Sequence, residues 1–379
     1  MNKRILIFST AYFPFIGGAE VAVKEITDRL PDFEFVMITA KLDKKLANVE
    51  KIGNIEVHRF GKGDKWDKYR LILDGWKEAH ELGKFDAVWS IMASYAGFAA
   101  LSYKRRNPAV PFLLTLQEGD SRWDIYKHVW WCWPYFKQIF KRADKIQAIS
   151  NYLANWAKSL GAKCSIEVVP NGVDIDKLSI INYKLLINAE KPPAVILAEA
   201  GIHGGKVVIT VSRLVKKNGV VDLIKAMKFL DQNVHLLVAG EGILEKKLEK
   251  SVKKLNLKER IHFLGLISHN DLPKYLHASD VFCRPSLSEG LGNVFLEAMA
   301  AGVPVVGTKV GGIPDFLVDG ETGLFCEARN SKNIAENIKK ILEDIGLRDK
   351  LILNGKNLVK EKYSWNMIAD KMKNIFTDL

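Results

Sequence analysis

The sequence predicts an α/β protein made of two parallel-sheet domains. Three observations carry this. The chain has 379 residues, more than one ordinary core holds. Short apolar runs rich in Val, Ile and Phe alternate with segments of helical period, the pattern of a parallel sheet covered by helices. The alternation then breaks and restarts, with an interruption over 175–205 that contains Pro192-Pro193 and Gly204-Gly205.

In chain order, the first set of strand candidates is "RILIFST" (4–10), "FEFVMITA" (33–40), "IEVHRF" (55–60), "FDAVWSIM" (85–92), "PFLLTLQ" (111–117), "KIQAIS" (145–150) and "IEVVPN" (166–171). These runs are continuous rather than alternating, as strands buried on both faces should be. Between the first two, "AEVAVKEITDRL" brings Val23, Ile26 and Leu30 to one helical face. The second set is "KVVITVSRL" (206–214), "VHLLVAGEG" (234–242), "IHFLGLI" (261–267), "DVFCRPS" (280–286), "VPVVGT" (303–308) and "GLFCE" (323–327). A seam is expected near Pro170–Asp174, and 363–376 reads as an amphipathic helix with no strand after it.

Composition excludes several classes. Hydrophobic content of 48% with 26% charged residues is that of a soluble globular protein. No apolar run reaches the roughly 18 residues that a spanning helix needs. "MNKRILIFSTAYFPFIGG" begins like a secretion signal, but Pro14 and Gly17-Gly18 interrupt it, so it reads as the first strand. Cys132, Cys164, Cys283 and Cys326 form no C-x-x-C pair and read as free thiols of a reducing cytosol. The formal charge of +12 reflects lysine-rich helices such as 244–256, a solvated face in the bland reading. Charge alone leaves open a nucleic acid, an anionic membrane surface or a phosphorylated substrate.

Ligands of open α/β sheets sit at the carboxyl ends of strands, so those loops hold the candidate site. "FPFIGGAE" (13–20) places Gly17 and Gly18 before a helix, where backbone N–H groups can approach an anion; a tight turn explains them equally well. It is neither G-x-G-x-x-G nor a Walker loop. "SRLVKKNG" (212–219) places Arg213, Lys216 and Lys217 at a helix mouth, as a diphosphate cradle or a plain basic surface loop. "SEGLGNVFLEAMAAGVPVV" (288–306) carries Glu289 in a glycine-bracketed loop and Glu297 about one turn inside a helix over 293–301. Paired carboxylates accept hydrogen bonds from vicinal sugar hydroxyls, while the N–H groups from Gly290 through Leu291, Gly292 and Asn293 are expected to face an anion. A favourable helix dipole explains each acid alone; the glycine loop, the two acids and the second, basic helix-start loop together weigh against it.

At these residues the chain resembles retaining glycosyltransferase family 4, the "glycosyl transferases group 1". The resemblance rests on "PSLSEGLGNVFLEAMAAGVPVVGTKVGGIPDFLVDGETGLF" (285–325), with "GGAE" (17–20), "ISNYLANWAKSLG" (149–161), "VVPNGVD" (168–174), "SRLVKKNG", "VAGEG" (238–242) and "HFLG" (262–265) in support. It covers nearly the whole chain in order. It implies the GT-B architecture, two Rossmann-like parallel-sheet domains facing an interdomain cleft. These would be an acceptor-side domain, 1–172 with a helix over 362–379 crossing back, and a sugar-nucleotide domain, 173–361. It further implies that Glu297 binds the ribose and Glu289 the donor sugar. The amides near Leu291 and Gly292, with Gly18, would meet the diphosphate and sugar. Arg213 would stabilise the leaving diphosphate, and the backbone around Phe263–Gly265 would line the base.

Two departures bear on this. The family's lysine five residues after that arginine is Asn218 here, which is expected to contact the donor while the adjacent Lys217 takes the catalytic role, and its histidine near the end of the fifth strand is Gln117, so that Gln117 or Asp120 would take over its catalytic contacts. The implied reaction is hexosyl transfer from a nucleoside-diphosphate sugar to a carbohydrate or lipid-linked acceptor, with retention and no metal or other cofactor. Fixed donors must then carry the leaving-group charge, each worth about 2.7–4 kcal/mol of barrier. "DID" (174–176) fits a metal-binding D-x-D but lies at the seam, where the family also has an aspartate. "YKHVWWCWPYFKQIFKR" (126–142) reads as a buried helix and cleft wall, a sugar platform, or an aromatic and basic surface for a membrane; Pro134 should kink or split it. The expected setting is the cytoplasm, with possible peripheral contact at the membrane's inner face. The competing functions are a sugar-nucleotide epimerase or phosphorylase, a catalytically dead sugar-nucleotide binder, and a basic nucleic-acid-binding protein, for which no motif speaks.

Overall fold

The structure, a computed structural model, describes residues 3–179, 197–198 and 201–379. Pro192-Pro193, expected to mark the break between the two strand sets, lies outside the described residues. The chain divides into two compact units, 1–172 together with Trp365–Leu379, and Val173–Ser364.

The first unit holds an eight-stranded sheet in the order β3-β4-β2-β1-β5-β6-β7-β8, built from β1 (Lys3–Ser9), β2 (Phe33–Ala40), β3 (Val49–Ile52), β4 (Ile55–Phe60), β5 (Ala87–Ile91), β6 (Phe112–Leu116), β7 (Lys145–Ala148) and β8 (Ser165–Val168). All seven predicted strands of this set are present and pair in parallel, with Ile5 opposite Phe35 on one side and Ala87 on the other. The sequence reading missed β3, a short exposed edge strand that pairs antiparallel with β4, Val49 opposite His58. Val23, Ile26 and Leu30 pack on the sheet as their spacing requires. So does the last helix, Trp365–Thr377, which seats Ile368, Met372, Ile375 and Phe376 in the same core; the Phe376 ring lies 5.0 Å from Trp89. A fully buried phenylalanine contributes about 1.5–3 kcal/mol. That anchoring explains why the chain's end belongs with its beginning. The change of unit falls at Ser364/Trp365, after the helix Ile345–Lys362.

The second unit holds a six-stranded, all-parallel sheet in the order β11-β10-β9-β12-β13-β14, from β9 (Lys206–Val211), β10 (Val234–Ala239), β11 (Ile261–Gly265), β12 (Val281–Arg284), β13 (Val305–Thr308) and β14 (Leu324–Cys326). Its core joins Val208, Leu236, Val238, Val281 and Val306 to helix residues such as Leu223 and Ile338. In that order β9 neighbours β10 on one side and β12 on the other, so the loops after β9 and β12 emerge beside each other.

Candidate functional site

The loop after β9 is held at both ends. Ser212 N–H donates to Ala239 O at 3.0 Å, extending the β9–β10 ladder. Inside the loop, the buried Asn218 donates from Nδ2 to Arg213 O at 2.7 Å. Its amide is therefore committed within the loop, holding the turn that presents Arg213. Gly219 ends the turn at φ +68°, and a Cβ there would lie 1.9 Å from Pro285 O. Only glycine permits that approach. The loop after β12 is thereby brought against it, and Leu287 N–H donates to Lys217 O at 2.6 Å. Arg213 and Lys216 remain exposed and Lys217 half-buried.

The loop after β12, Pro285–Gly292, leads into the helix Asn293–Ala301, where the sequence placed one. A second close approach fixes its height. Gly311, on the loop after β13, has φ +57°, and a Cβ there would lie 1.8 Å from Glu289 O. Thr308 Oγ1 also donates to Ser286 O at 2.6 Å. Three strand-end loops thus form one floor.

On that floor Glu289 is not a free carboxylate. Its Oε2 accepts from Nη2 of Arg284, the last residue of β12, and its Oε1 accepts from Gly290 N–H at 3.1 Å. The Gly290 N–H, expected to face an anion, is therefore taken by the neighbouring acid. The next two N–H groups, of Leu291 and Gly292, have no hydrogen-bond partner among the described residues. Gly292 sits at φ +104° as the N-cap and supplies no side-chain cap. Asn293 opens the helix, half-buried. Arg284 itself is buried, its Nε donating to Ser286 Oγ at 3.2 Å and its guanidinium lying 5.0 Å from the Phe295 ring centre. The sequence reading missed it. The available signal was a cation ending an otherwise apolar run, "DVFCR".

Glu297 is half-buried one turn into the helix. Burial raises its pKa, opposed first by His269, then by Arg284 and Lys177. His269 Nδ1 lies 3.9 Å from Glu297 Oε1, and Lys177 reaches the same neighbourhood with its Nζ donating to Asn270 Oδ1 at 2.7 Å. The sequence alone points to neither His269 nor Lys177, because both come from distant loops. Gly265, at φ +63°, accepts the Gly240 N–H at 2.7 Å, and Phe263 packs half-buried against the unit's core.

The remaining predicted residues lie elsewhere. In the first unit, Gly17 caps the helix Gly18–Asp28 with extended backbone and no side-chain cap. Gln117 follows β6 and accepts from Asn171 Nδ2 at 3.1 Å; Asp120 is exposed in the same loop. In the second unit, Asp174 of the D-x-D caps the short helix Ile175–Leu178, its Oδ1 accepting from Lys177 N–H at 3.0 Å.

Between Gln117 and Asp120 sits a group the sequence reading passed over. Glu118 is buried, accepts from Ala93 N–H at 2.6 Å through Oε1, and has no hydrogen-bond partner for Oε2 among the described residues. Desolvation pushes its pKa from 4.5 up to about 7, against the pull of nearby backbone N–H groups. The native state therefore keeps a proton that the unfolded chain has already released. Stability falls as pH rises from 4.5 towards about 7 and levels above it. The shift corresponds to about 3 kcal/mol. Glu118→Gln should remove this dependence. In denaturant melts followed by tryptophan fluorescence, the variant should gain on the parent by up to about 3 kcal/mol between about pH 5 and about pH 8. A pH-independent difference contradicts the assignment.

The sequence profile of "Glycosyltransferase Family 4" matches residues 16–177 and that of "Glycosyl transferases group 1" matches 196–378. The chain belongs to the group 1, family 4 glycosyltransferases. An uncharacterised glycosyltransferase of Methanocaldococcus jannaschii is 29% identical over 99% of this chain and 98% of its own. A GDP-mannose-dependent phosphatidylinositol monomannoside mannosyltransferase of Mycobacterium tuberculosis is 28% identical over 64% of this chain and 65% of its own. Among solved structures, Anabaena HepE in complex with UDP and glucose superposes with a TM-score of 0.82 at 20% identity, covering both chains fully. Sucrose-phosphate synthase of Thermosynechococcus elongatus gives 0.83 at 21%, over 99% of this chain and 98% of its own. This glycosyltransferase therefore has the GT-B fold.

Proposed function

We propose that the enzyme transfers a hexosyl group from a nucleoside-diphosphate sugar to a carbohydrate or lipid-linked acceptor, with retention of configuration and without a metal. One observation carries this reading. The basic loop of Arg213 and Lys217 is bonded to the loop of Glu289, Leu291 and Gly292, and that second loop leads into the helix that carries Glu297 about one turn in. An anion at the Leu291 and Gly292 N–H groups would meet a helix N-terminus and two nearby cations. That matches a diphosphate whose leaving charge must be held by fixed donors.

Each residue then has a role. Arg213 and Lys217 bind the diphosphate, and Asn218 holds their loop rather than touching the donor. Glu297 accepts from the ribose hydroxyls and Glu289 from the hexose; an ionised carboxylate has about four acceptor sites, so the bonds it already makes leave room. Phe263 and Gly265 line the base. In the first unit, Gly17 and Gly18 are assigned to donor binding and Gln117 and Asp120 to catalysis. With retention, attack comes from the leaving-group face, the C–O bond to the diphosphate breaks as the acceptor C–O bond forms, and the departing phosphate takes the acceptor's proton. The UDP and glucose bound to HepE and the GDP-mannose in the mannosyltransferase's name support a sugar nucleotide as donor, and the mannosyltransferase's name supports a lipid-linked acceptor. Proton NMR of product formed with a chelator present tests the reading. The anomeric configuration of the donor should persist and the rate should not fall. An inverted product, or loss of activity restored by divalent metal, overturns it.

A further inference from the structure

The segment 122–142 folds as two helices, Arg122–Val129 and Trp133–Arg142, joined by a 3₁₀ turn, Trp130–Cys132. Pro134 sits in the first turn of the second helix, where its missing N–H is harmless, so the proline separates the helices instead of kinking one. One face is firmly anchored. Phe136, Ile139 and Phe140 are fully buried, and the Phe140 ring lies 5.4 Å from Trp156. The other face is open. Trp123, Trp130 and Trp131 are 63%, 64% and 71% exposed, with Tyr126 at 39%. The fold therefore does not need these rings for its core, yet it keeps three indoles in water.

Cations are interleaved with them. Lys127 lies 5.3 Å from the Trp123 ring centre, and Lys137 lies 5.6 Å from that of Trp133. Arg122, Lys127, Lys137, Lys141 and Arg142 face a single acid in the segment, Asp124, which is tied to Ser121 Oγ at 2.5 Å as a helix cap. A sugar platform needs one or two rings beside hydrogen-bonding side chains. A dimer interface would bury the rings but has no use for this excess of one charge. Amphipathic aromatic rings favour the headgroup region, and each nearby Lys or Arg strengthens binding to an anionic leaflet about 5-fold.

We infer that the helix pair 122–142 is a docking surface for an anionic lipid bilayer, on which the protein sits peripherally. Among the described residues no helix is long and apolar enough to cross a membrane. The inference stands apart from the reaction proposed above, since binding is read without donor or acceptor.

The test is sedimentation of the full chain with phosphatidylglycerol–phosphatidylcholine vesicles and with phosphatidylcholine alone. The parent should bind the anionic vesicles at least about 10-fold more tightly, with binding weakened by salt. Its tryptophan emission should shift to shorter wavelength on binding. Trp130→Ser/Trp131→Ser and Lys127→Glu/Lys141→Glu should each weaken binding by about 10-fold or more while the melting temperature is kept. No binding by the parent, equal binding to both lipids, or binding unchanged in the variants overturns the inference. So does a dimer in light scattering that dissociates in the tryptophan variant while vesicle binding is absent.

Discussion

Arg284→Met will destabilise the second unit by about 3–5 kcal/mol, the effect of leaving a buried charge without its partner. Arg284 is buried at the end of β12, and Glu289 lies beside it with little exposure, so neither charge regains full hydration when the other is removed. Glu289→Gln should for the same reason be costly alone. The double variant Arg284→Met/Glu289→Gln should recover part of the loss, with a coupling of about 1–3 kcal/mol. The readout must be chosen with care, because all nine tryptophans lie in the first unit. Calorimetry sees both units, whereas tryptophan fluorescence follows only the first and should stay unchanged. The single substitution should also abolish transfer, since the Glu289 loop loses the group that orients its carboxylate. Additive losses in the double variant would show that the pair is not a unit.

The strands were readable because strands of a parallel sheet are buried on both faces, which leaves runs such as "FEFVMITA" with no polar alternation to confuse. β3 was not, because "VEKI" is exposed at the edge and carries no apolar run. In the site, the glycine-bracketed acids and the helix start at Asn293 were legible from spacing alone. Arg284, His269, Lys177 and Glu118 were not, since burial and through-space approach decide their importance and neither has a local signature. The Gly290 N–H shows the same limit in reverse. A helix-start amide looks available in sequence, and a side chain one residue away takes it. Asn218 departs from the resembled family's lysine, yet its buried amide has a clear task in holding the Arg213 loop.

The second large effect concerns the donor itself. Glu297 is kept in a half-buried place with a raised pKa and with His269 and Lys177 at hand, a costly arrangement unless a ligand uses it. Hydrogen bonds from two ribose hydroxyls to a carboxylate contribute about 1.5–3 kcal/mol each. Calorimetric titration of UDP, GDP and ADP, with no added divalent metal, therefore tests the central claim most directly. At least one diphosphate should bind the parent. Glu297→Ala should weaken it by about 100-fold, and Arg213→Ala by about 10-fold, with folding intact. Equal affinity in the parent and both variants would contradict a diphosphate seated on these loops.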